Sequence, residues 1–583
     1  MHSRDVRSNN IIMKKWNIKQ SDAARRKYLS DNLSVSPVVS QLLLNRGIDD
    51  IDKAKAFLQS SISELYNPFL MDGMHEAVSR IINALRKKEK VLIHGDYDVD
   101  GVTATALLLF TLKEFGVEPV YYIPDRITEG YGLGSNGVEE AIRIKADLVI
   151  TVDCGISSHE EVAELNKNGI DVIITDHHEP PRILPDAYAI INPLQGACRY
   201  PDKNLSGVSI AFKLCQALSL ELNNNNFWKH LDLVSLGTVS DIAPILGENR
   251  ILVREGLKLL KNGGSNKGIR ALIEASGIKK DEIGTFEIGF ILGPRINAAG
   301  RLGSAGTAVE LLLTDDDRKA MELAEKLNEA NQERQKIEKN TLKEAISKIE
   351  RDINFKDHKV IVLHNEDWHT GVMGIVASRI TDRFNRPTIL ISTKDGIGRG
   401  SGRSIENFHL FEALTSCEGF LKEYGGHQYA CGLTILEENL PGFIKLINEL
   451  AADTIAAKDL VQSLSIDIDI ELILIDYKLA EDIATLEPFG EGNPEPIFCS
   501  RNLRLVQPLR VLKGGHIKFQ VTDGNKIFEA IGFGMAKDSE IELTLKNYPA
   551  FDMAYTVSLN NWQGINTIQL TIEDIRPSGP SRL

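Results

Sequence analysis

The stretch VLIHGDYDVDGVTATALL (residues 91–108) gives the clearest indication of the fold. A short apolar run is followed by three aspartates at alternate positions, Asp96, Asp98 and Asp100, and then by a longer apolar stretch. This pattern predicts a buried strand, a loop rich in carboxylates and a helix. In parallel α/β sheets, active residues collect at the carboxyl ends of the strands, so the stretch predicts a site at such an edge.

The alternation of apolar runs and helical stretches continues to about residue 192. Near-continuous apolar strands separated by helices indicate a parallel sheet covered on both faces. The predicted strands are KVLIH (90–94), VYYIP (120–124), DLVITVD (147–153), DVIITD (171–176) and AYAIIN (188–192). The predicted helices between them include residues 102–115 and 158–168, and a buried helix is expected within 227–245.

Three further regions follow this predicted domain. Residues 317–351 form one long helical pattern whose middle is polar on nearly every face, which is typical of a helix that crosses solvent between domains. A second α/β region, with strands KVIVLH and PTILIS, is followed beyond residue 460 by short β-like runs that predict a barrel or sandwich. The predicted parts are residues 1–70 (short helices), 71–245 (first α/β domain), 246–351 (helical region with the long helix), 352–458 (second α/β domain) and 459–583 (β domain).

Size and composition limit the classes of protein to which this chain can belong. A chain of 583 residues exceeds what one hydrophobic core supports, so several domains are expected. No apolar run approaches the roughly 18–20 residues that span a bilayer, and the N-terminus lacks the apolar core of a secretory signal. The six cysteines include no close CxxC pair, which argues against disulfides and a zinc–thiolate site. We expect a cytoplasmic protein; Met13 is an alternative start that would make residues 1–12 an extension.

Charge gives two opposing indications. The net charge of 67 − 81 = −14 disfavours a polyanionic partner in bulk, but local patches govern phosphate contacts. Between Glu495 and Asp523 there is no acid, and this stretch contains Arg501, Arg504, Arg510, Lys513, His516 and Lys518. The aromatic residues Phe519, Phe528 and Phe533 lie in or just beyond it. Cations interleaved with aromatics are typical of a single-strand groove, although phenylalanines on strands are more often core residues.

Acids and histidines lie at or directly beyond several predicted strands. Besides the three aspartates above, the set contains His94, Asp153, Asp176, His177, His178 and Asp241. Any one of these aspartates can equally serve as a helix N-cap, but four clusters at equivalent ends are harder to explain in that way. Crowded carboxylates repel one another at low dielectric, and a divalent cation relieves that repulsion. Oxygen and imidazole ligands suit manganese or magnesium.

The motifs HGDYDVDG, TVDCG, TDHH and GTVSD, in this order, resemble those of the DHH phosphoesterase superfamily. The segments GVSIAFKL, GPRINAAGR, HTGVMGIVASRI, GSGRS and GGHQYACG, with the β domain, resemble the RecJ family of single-strand-specific exonucleases over roughly residues 40–575. The resemblance implies an α/β fold: a parallel-sheet DHH domain joined by a long helix to a second α/β (DHHA1) domain, plus a C-terminal OB-like β-barrel.

The resemblance also implies a site for two ions, Mn²⁺ or Mg²⁺. Carried over onto this sequence, the ligands of one ion are His94, Asp98 and Asp153, and those of the other are Asp100, Asp153, His177 and Asp241. Asp96 is either a further ligand or an acid behind the ligands. Asp176 would orient the histidines, and His178 would face the scissile phosphate as a hydrogen-bond donor or proton carrier.

Further residues are candidates for holding nucleic acid. The glycine turn of GGHQYACG is predicted to open a helix whose N–H groups face a phosphate. By resemblance, Arg126 takes the 5′ phosphate; for Arg295 and Arg301, surface salt bridges are the alternative. The candidate substrate-binding residues are Arg126, Arg295, Arg301, Ser401, Arg403, Gly425, Gly426, His427, Arg504, Arg510, Lys513 and Lys518.

The activity that the resemblance implies is metal-dependent 5′-to-3′ hydrolysis of single-stranded DNA to mononucleotides, in recombination and mismatch repair. A monomer working beside a helicase and a single-strand-binding protein is expected. Alternatives are another DHH phosphodiesterase, acting on short oligonucleotides or cyclic dinucleotides, and a non-catalytic DNA-binding scaffold. The basic β domain argues against the first and the retained acids against the second. GLGSNG (132–137) fits the dinucleotide fingerprint but starts eight residues past strand 120–124, so no nucleotide cofactor is expected.

Overall fold

The computed structural model describes residues 14–59, 61–126, 128–224, 226–263, 266–303, 305–562 and 565–579. Met13 and residues 1–12 lie outside the described residues. The chain forms two compact units. The first unit contains the described residues of Gln59–Asn340 and Pro488–Pro494; the second contains those of Met1–Leu58, Thr341–Glu487 and Glu495–Leu583. In the part of the chain that is described, no helix has both the length and the apolar character needed to cross a bilayer.

The N-terminal segment is mostly helical, as predicted. Its elements are β1 (Lys15–Ile18), α1 (Ala23–Leu33), α2 (Pro37–Asn45) and α3 (Ile51–Gln59). The sequence did not predict β1, which pairs in parallel with Ser463–Ile466 in the same unit. Asp22 caps α1 and Ser36 caps α2 through side-chain oxygens that accept backbone N–H groups, which explains where these helices begin.

The first unit is built on the predicted parallel sheet. Its elements are α4 (Met74–Lys87), β2 (Val91–Gly95), α5 (Val99–Glu114), β3 (Val120–Tyr122), α6 (Ser135–Ile144), β4 (Leu148–Val152), α7 (His159–Lys167), β5 (Asp171–Thr175), β6 (Ala189–Ile191), α8 (Gly207–Glu221) and α9 (Leu231–Ser240). The strand order is β3-β2-β4-β5-β6, with every pair parallel. Strands β2 and β4 are buried at every residue, which explains their unbroken apolar sequences.

Helices complete the first unit and lead into the second. They are α10 (Gly247–Asn262), α11 (Lys267–Ser276), α12 (Thr285–Glu287), the π-helical segment (Ile288–Leu292), α13 (Gly293–Leu302), α14 (Gly306–Leu313) and α15 (Asp317–Asp352). The long helix predicted at 317–351 is confirmed as α15. The expectation that its middle is solvated on nearly every face is wrong, because Asn331, Arg334 and Glu338 are buried. Arg334 donates hydrogen bonds to the other two, which compensates these polar groups for the loss of water.

The second unit contains the predicted second α/β domain. Its elements are β7 (Ile361–Asn365), α16 (Thr370–Phe384), β8 (Thr388–Lys394), β9 (Ile397–Arg403), α17 (Leu410–Ser416), β10 (Leu421–Gly426), β11 (Ala430–Leu436) and α18 (Leu440–Thr454). The sheet order is β10-β11-β9-β8-β7, with only β7–β8 parallel.

The glycine turn of GGHQYACG does not open a helix, so that prediction is wrong. Residues 425–432 instead form the tip of the β10–β11 hairpin. Gly426 has φ +134°, and a β-carbon there would lie 2.3 Å from the Ala430 carbonyl oxygen. The glycine is therefore required by the close approach of the two strands.

The C-terminal β domain has OB-like topology. Its elements are β12 (Ser463–Ile466), β13 (Ile468–Asp469), α19 (Tyr477–Ala484), β14 (Phe498–Leu505), β15 (Arg510–Leu512), β16 (His516–Thr522), β17 (Ile527–Gly532), α20 (Ser539–Asn547), β18 (Phe551–Trp562) and β19 (Ile565–Pro577). The sheet order is β13-β14-β18-β19-β17-β16-β15. Strand β14 also meets β16, but only at Arg504–Thr522 and Leu505–Val521. The predicted barrel is thus a curled sheet that does not close along its length.

Candidate metal centre

The carboxyl ends of β2, β4 and β5 bring most of the predicted acids and histidines together in the first unit, but His94 and Asp176 belong to none of the groups of neighbouring ligand atoms. Because these strands are adjacent and parallel, the residues that follow them meet at one edge of the sheet. Three groups of potential ligand atoms lie within 4.8 Å of one another: Asp96, Asp98 and Asp153; Asp100, His177 and Asp241; and Asp153, His177 and His178. Since Asp153 and His177 each belong to two groups, the set is one continuous cluster.

Asp153 is held in an unusual backbone conformation at the centre of this cluster. Its φ is +62°, in the left-handed region that non-glycine residues rarely adopt. A β-carbon on Gly207 would lie 2.4 Å from Asp153 Oδ1, so a glycine is needed where α8 begins against this carboxylate. Such strained residues concentrate at functional sites.

Helix N-termini fix two of the other acids. Asp98 Oδ1 accepts the backbone N–H groups of Asp100 at 2.9 Å and Gly101 at 3.1 Å, so this residue also caps α5. The Asp100 carboxylate accepts the N–H groups of Gly207 at 2.6 Å and Val208 at 2.9 Å at the start of α8. The N-cap explanation considered for single aspartates therefore holds for Asp98, without removing it from the cluster.

Four buried atoms of these residues have no hydrogen-bond partner among the described residues: His94 Nε2, Asp96 Oδ1, Asp153 Oδ1 and His177 Nε2. Burial of such atoms without partners is unfavourable, and a cation would satisfy them. Burial lowers the pKa of both His94 and His177 to about 4, so both rings are neutral at pH 7 and can present a lone pair. The atoms therefore fit a divalent metal ion.

The electrostatics of the acids support the same conclusion. Burial and mutual repulsion raise the pKa values of Asp96, Asp153 and Asp241 well above the ordinary range. The pKa of Asp100 is raised to about 7 by burial and by Asp98. Bound cations would favour the charged forms. Carboxylate and imidazole ligands without thiolate suit Mn²⁺ or Mg²⁺.

His178 is oriented by Asp176. His178 Nδ1 lies 2.7 Å from Asp176 Oδ1 and 2.9 Å from the hydroxyl of Tyr131, a residue that the sequence did not indicate. Asp176 also accepts the backbone N–H groups of His178 at 3.0 Å and Ile156 at 2.9 Å. Burial disfavours the charged forms of both residues, but the hydrogen bond and the attraction between them have the larger effect. The pKa of Asp176 is therefore lowered and that of His178 is raised.

A cavity of about 290 Å³ lies against the cluster. It is lined by Asp96, Tyr97, Asp98, Arg126, Tyr131, Asp153, His178, Ser240, Asp241, Asn297 and Arg301. The Arg126 guanidinium carbon lies 4.8 Å from the centre of the Tyr97 ring. Arg295 is outside this lining; it donates to Asn328 Oδ1 at 3.0 Å and to a backbone carbonyl oxygen at 2.7 Å. The two arginines predicted in GPRINAAGR therefore differ in environment.

Comparison with known proteins identifies the family. Family models match three segments: the DHH family, N-terminal domain (residues 90–238), the DHHA1 domain (357–453) and the RecJ OB domain (466–574). The chain is 37% identical to the single-stranded-DNA-specific exonuclease RecJ of Bacillus subtilis, over 96% of this chain and 70% of that protein. It is 35% identical to RecJ of Haemophilus influenzae, over 94% of this chain and 98% of that one. The chain belongs to the RecJ family.

The fold agrees with this assignment. The structure of RecJ from Thermus thermophilus in complex with Mn²⁺ matches with a TM-score of 0.82 and 32% identity, over 98% of this chain and 80% of that one.

In this RecJ-family chain, the candidate substrate residues of the second α/β domain gather around Arg403. Its Nη1 lies 3.3 Å from Ser401 Oγ and 2.7 Å from the Gly402 carbonyl oxygen. Burial, Arg403 and a second histidine lower the pKa of His427, which places this ring and Arg403 in one electrostatic environment. Gly425 and Gly426 lie in the same hairpin as His427.

The candidate cations of the RecJ OB domain differ in exposure and in ion pairing, which the sequence does not indicate. Arg504, Arg510 and Lys513 are exposed. Lys518, opposite Arg510 in the β15–β16 ladder, is paired with a glutamate, Glu529, at 2.7 Å. Phe519 is buried in the core, as expected for a phenylalanine on a strand.

Proposed function

We propose that this chain is a metal-dependent exonuclease that hydrolyses the phosphodiester bonds of single-stranded DNA from the 5′ end and releases mononucleotides. The observation that carries the proposal is the buried cluster around Asp153 and His177, in which Asp96 Oδ1, Asp153 Oδ1 and His177 Nε2 have no hydrogen-bond partner among the described residues. Relatives at 33–37% identity are named single-stranded-DNA-specific exonucleases. The other DHH phosphodiesterases are not favoured, because the chain also matches the RecJ OB domain. A non-catalytic scaffold is not favoured, because the acids are retained.

Six metal ligands are proposed from the cluster, and His94 is added from the family resemblance. The six are Asp96, Asp98, Asp100, Asp153, His177 and Asp241. Two Mn²⁺ or Mg²⁺ ions bound there would neutralise charge on the phosphate and lower the pKa of water. Asp153 is the residue best placed to serve both ions, because it belongs to two of the groups of neighbouring ligand atoms.

The remaining chemistry falls to side chains that line the cavity. His178, kept protonated to higher pH by Asp176, would donate a hydrogen bond or proton to a phosphate oxygen. Arg126 and Arg301 would hold the terminal phosphate. Arg295 instead would hold α13 against α15 through Asn328.

The other parts of the chain would guide the strand. Arg403, Ser401 and His427 are proposed to bind a phosphate in the second α/β domain, and the cations of the OB domain to follow the backbone. The division into residues 1–70, 71–245, 246–351, 352–458 and 459–583 is kept as a proposal. A single-strand-binding protein, a helicase, a monomeric state and a cytoplasmic location are proposed from family resemblance alone.

One assay tests this function. End-labelled single- and double-stranded DNA and RNA are incubated with Mn²⁺, Mg²⁺ or EDTA. The expected result is release of labelled mononucleotide from the 5′ end of single-stranded DNA, with either metal and not with EDTA. Asp153→Asn should be inactive, whereas Asp232→Asn, a buried aspartate outside the cluster, should remain active. Equal cleavage of duplex, or cleavage in EDTA, would contradict the proposal.

A further inference from the structure

The end of α9 has an unusual residue in its cap. Ala243 donates its N–H to the Thr238 carbonyl oxygen and Ile242 donates to that of Val239, each at 3.3 Å. This pair of bonds is the Schellman motif, in which the residue at the position of Ile242 is left-handed and usually glycine. Ile242 has φ +61°. A β-branched side chain is strained in that conformation.

Burial of the side chain does not offset this strain. The Ile242 side chain is 71% exposed, so it gains little from packing. It follows Asp241 directly, and the Asp241 carboxylate belongs to the metal cluster and lines the cavity. Strained residues cluster at functional sites, and here the strain leaves an exposed apolar side chain beside the metal cluster.

Two exposed phenylalanines lie in the chain segment that packs against the same helix. Phe286 and Phe290 are 61% and 71% exposed, and their ring centres lie 4.9 Å apart in a stacked arrangement. Phe290 lies in the π-helical segment, a conformation that is frequent at functional sites. A β-carbon on Gly293, the next residue after that segment, would lie 2.5 Å from Ser240 Oγ. The segment thus packs against the last turn of α9, where Ser240 lines the cavity.

We propose that Ile242, Phe286 and Phe290 form an apolar rim that holds the nucleobases of the single strand entering the cavity. This inference rests on the proposed function. Unpaired bases expose flat faces that stack on aromatic rings without sequence preference. Bases in a duplex are already stacked and paired, so the rim favours single strands in a way that phosphate contacts alone do not.

The test separates contacts to bases from contacts to the backbone. Binding of a fluorescein-labelled thymidine dodecamer, and of an abasic strand of the same length, is measured by fluorescence anisotropy in EDTA. Ile242→Gly and Phe290→Ala should each weaken binding of the thymidine strand about tenfold, the effect of one lost base contact. Binding of the abasic strand should change less than about twofold.

A matched control isolates the effect of the glycine. Asn223→Gly replaces another exposed left-handed residue, beyond the C-terminal end of α8, whose opposite end meets Asp153. This variant should bind both strands as the wild type does. Ile242→Gly should unfold at a temperature no lower than the wild type, because glycine adopts a positive φ without strain.

Two outcomes would overturn the proposal of an apolar rim. One is unchanged binding of the thymidine strand by the variants, and the other is an equal loss of affinity for both strands. Because binding is measured in EDTA, it requires no hydrolysis. If the wild type instead fails to hydrolyse DNA with Mn²⁺, the proposed function fails while the binding result still decides whether the rim contacts bases.

Discussion

Raising the pH of the metal-free protein from about 4 to about 8 should remove the stability that the protonated Asp100 carboxyl contributes to the first unit, and Mn²⁺ should remove much of that effect. The lowered pKa values of His94 and His177 act in the opposite direction, because these rings bind a proton more tightly in the unfolded state. Burial and Asp98 raise the pKa of Asp100 from 3.8 to about 7. The folded state therefore binds this proton more tightly than the unfolded state, so the free energy of unfolding falls as pH rises between the two values. A pKa difference of about three corresponds to about 4 kcal/mol. Mn²⁺ stabilises the ionised carboxylate and should cancel this loss.

Thermal and urea unfolding followed by circular dichroism, in EDTA or Mn²⁺ at each pH, measures the effect. Asp232 provides the internal control, because burial raises its pKa to about 6 and it lies outside the cluster. Asp232 should contribute about 3 kcal/mol to the fall in the free energy of unfolding with pH. That contribution should persist in Mn²⁺ and disappear in Asp232→Asn. An identical pH dependence with and without Mn²⁺ would show that the ion does not bind the Asp100 carboxylate.

Three substitutions test the roles of individual groups. Asp153→Asn should lower kcat by about a thousandfold or more, because it removes a metal ligand. The affinity for single-stranded DNA in EDTA should change less than about twofold, because no basic group is lost. A parallel loss of affinity would count against Asp153 as a metal ligand alone. Asp176→Asn should move the alkaline limb of the kcat–pH profile to lower pH, because the charge that raises the pKa of His178 is lost; an unmoved limb would exclude His178 as the proton donor. Arg510→Ala should reduce the salt dependence of long-strand binding by about one phosphate contact. Arg501→Ala should leave it unchanged, because the Arg501 guanidinium is paired with an aspartate. Equal effects of the two substitutions would argue against a phosphate contact at Arg510.

Much of the fold was predictable because local sequence decides it. Strands β2 and β4 are buried on both faces, and this appears in the sequence as unbroken apolar runs. β1 was not predicted, because its four residues pair with a strand far away in the sequence and carry no periodicity of their own. The glycine turn at 425–432 was assigned to a helix because glycine suits helix starts and hairpins alike. Only the approach of the two strands at Gly426 distinguishes them.

The site was predictable only where chemistry shows in the sequence. Acids and histidines at strand ends indicated the cluster, but Tyr131, Ser240 and Asn297 are ordinary polar residues that become part of the cavity only on folding. Arg295 and Arg301 were indistinguishable in sequence. At about 100° per residue, six positions on α13 separate their directions by about 120°, so only one of them lines the cavity.

Anomalous scattering at the manganese edge from crystals soaked in Mn²⁺ would show directly whether the cluster binds two ions. Two strong peaks are expected within the cluster formed by Asp98, Asp153, His177 and Asp241. The absence of any peak there, with these side chains unchanged by the soak, would contradict the proposed metal site.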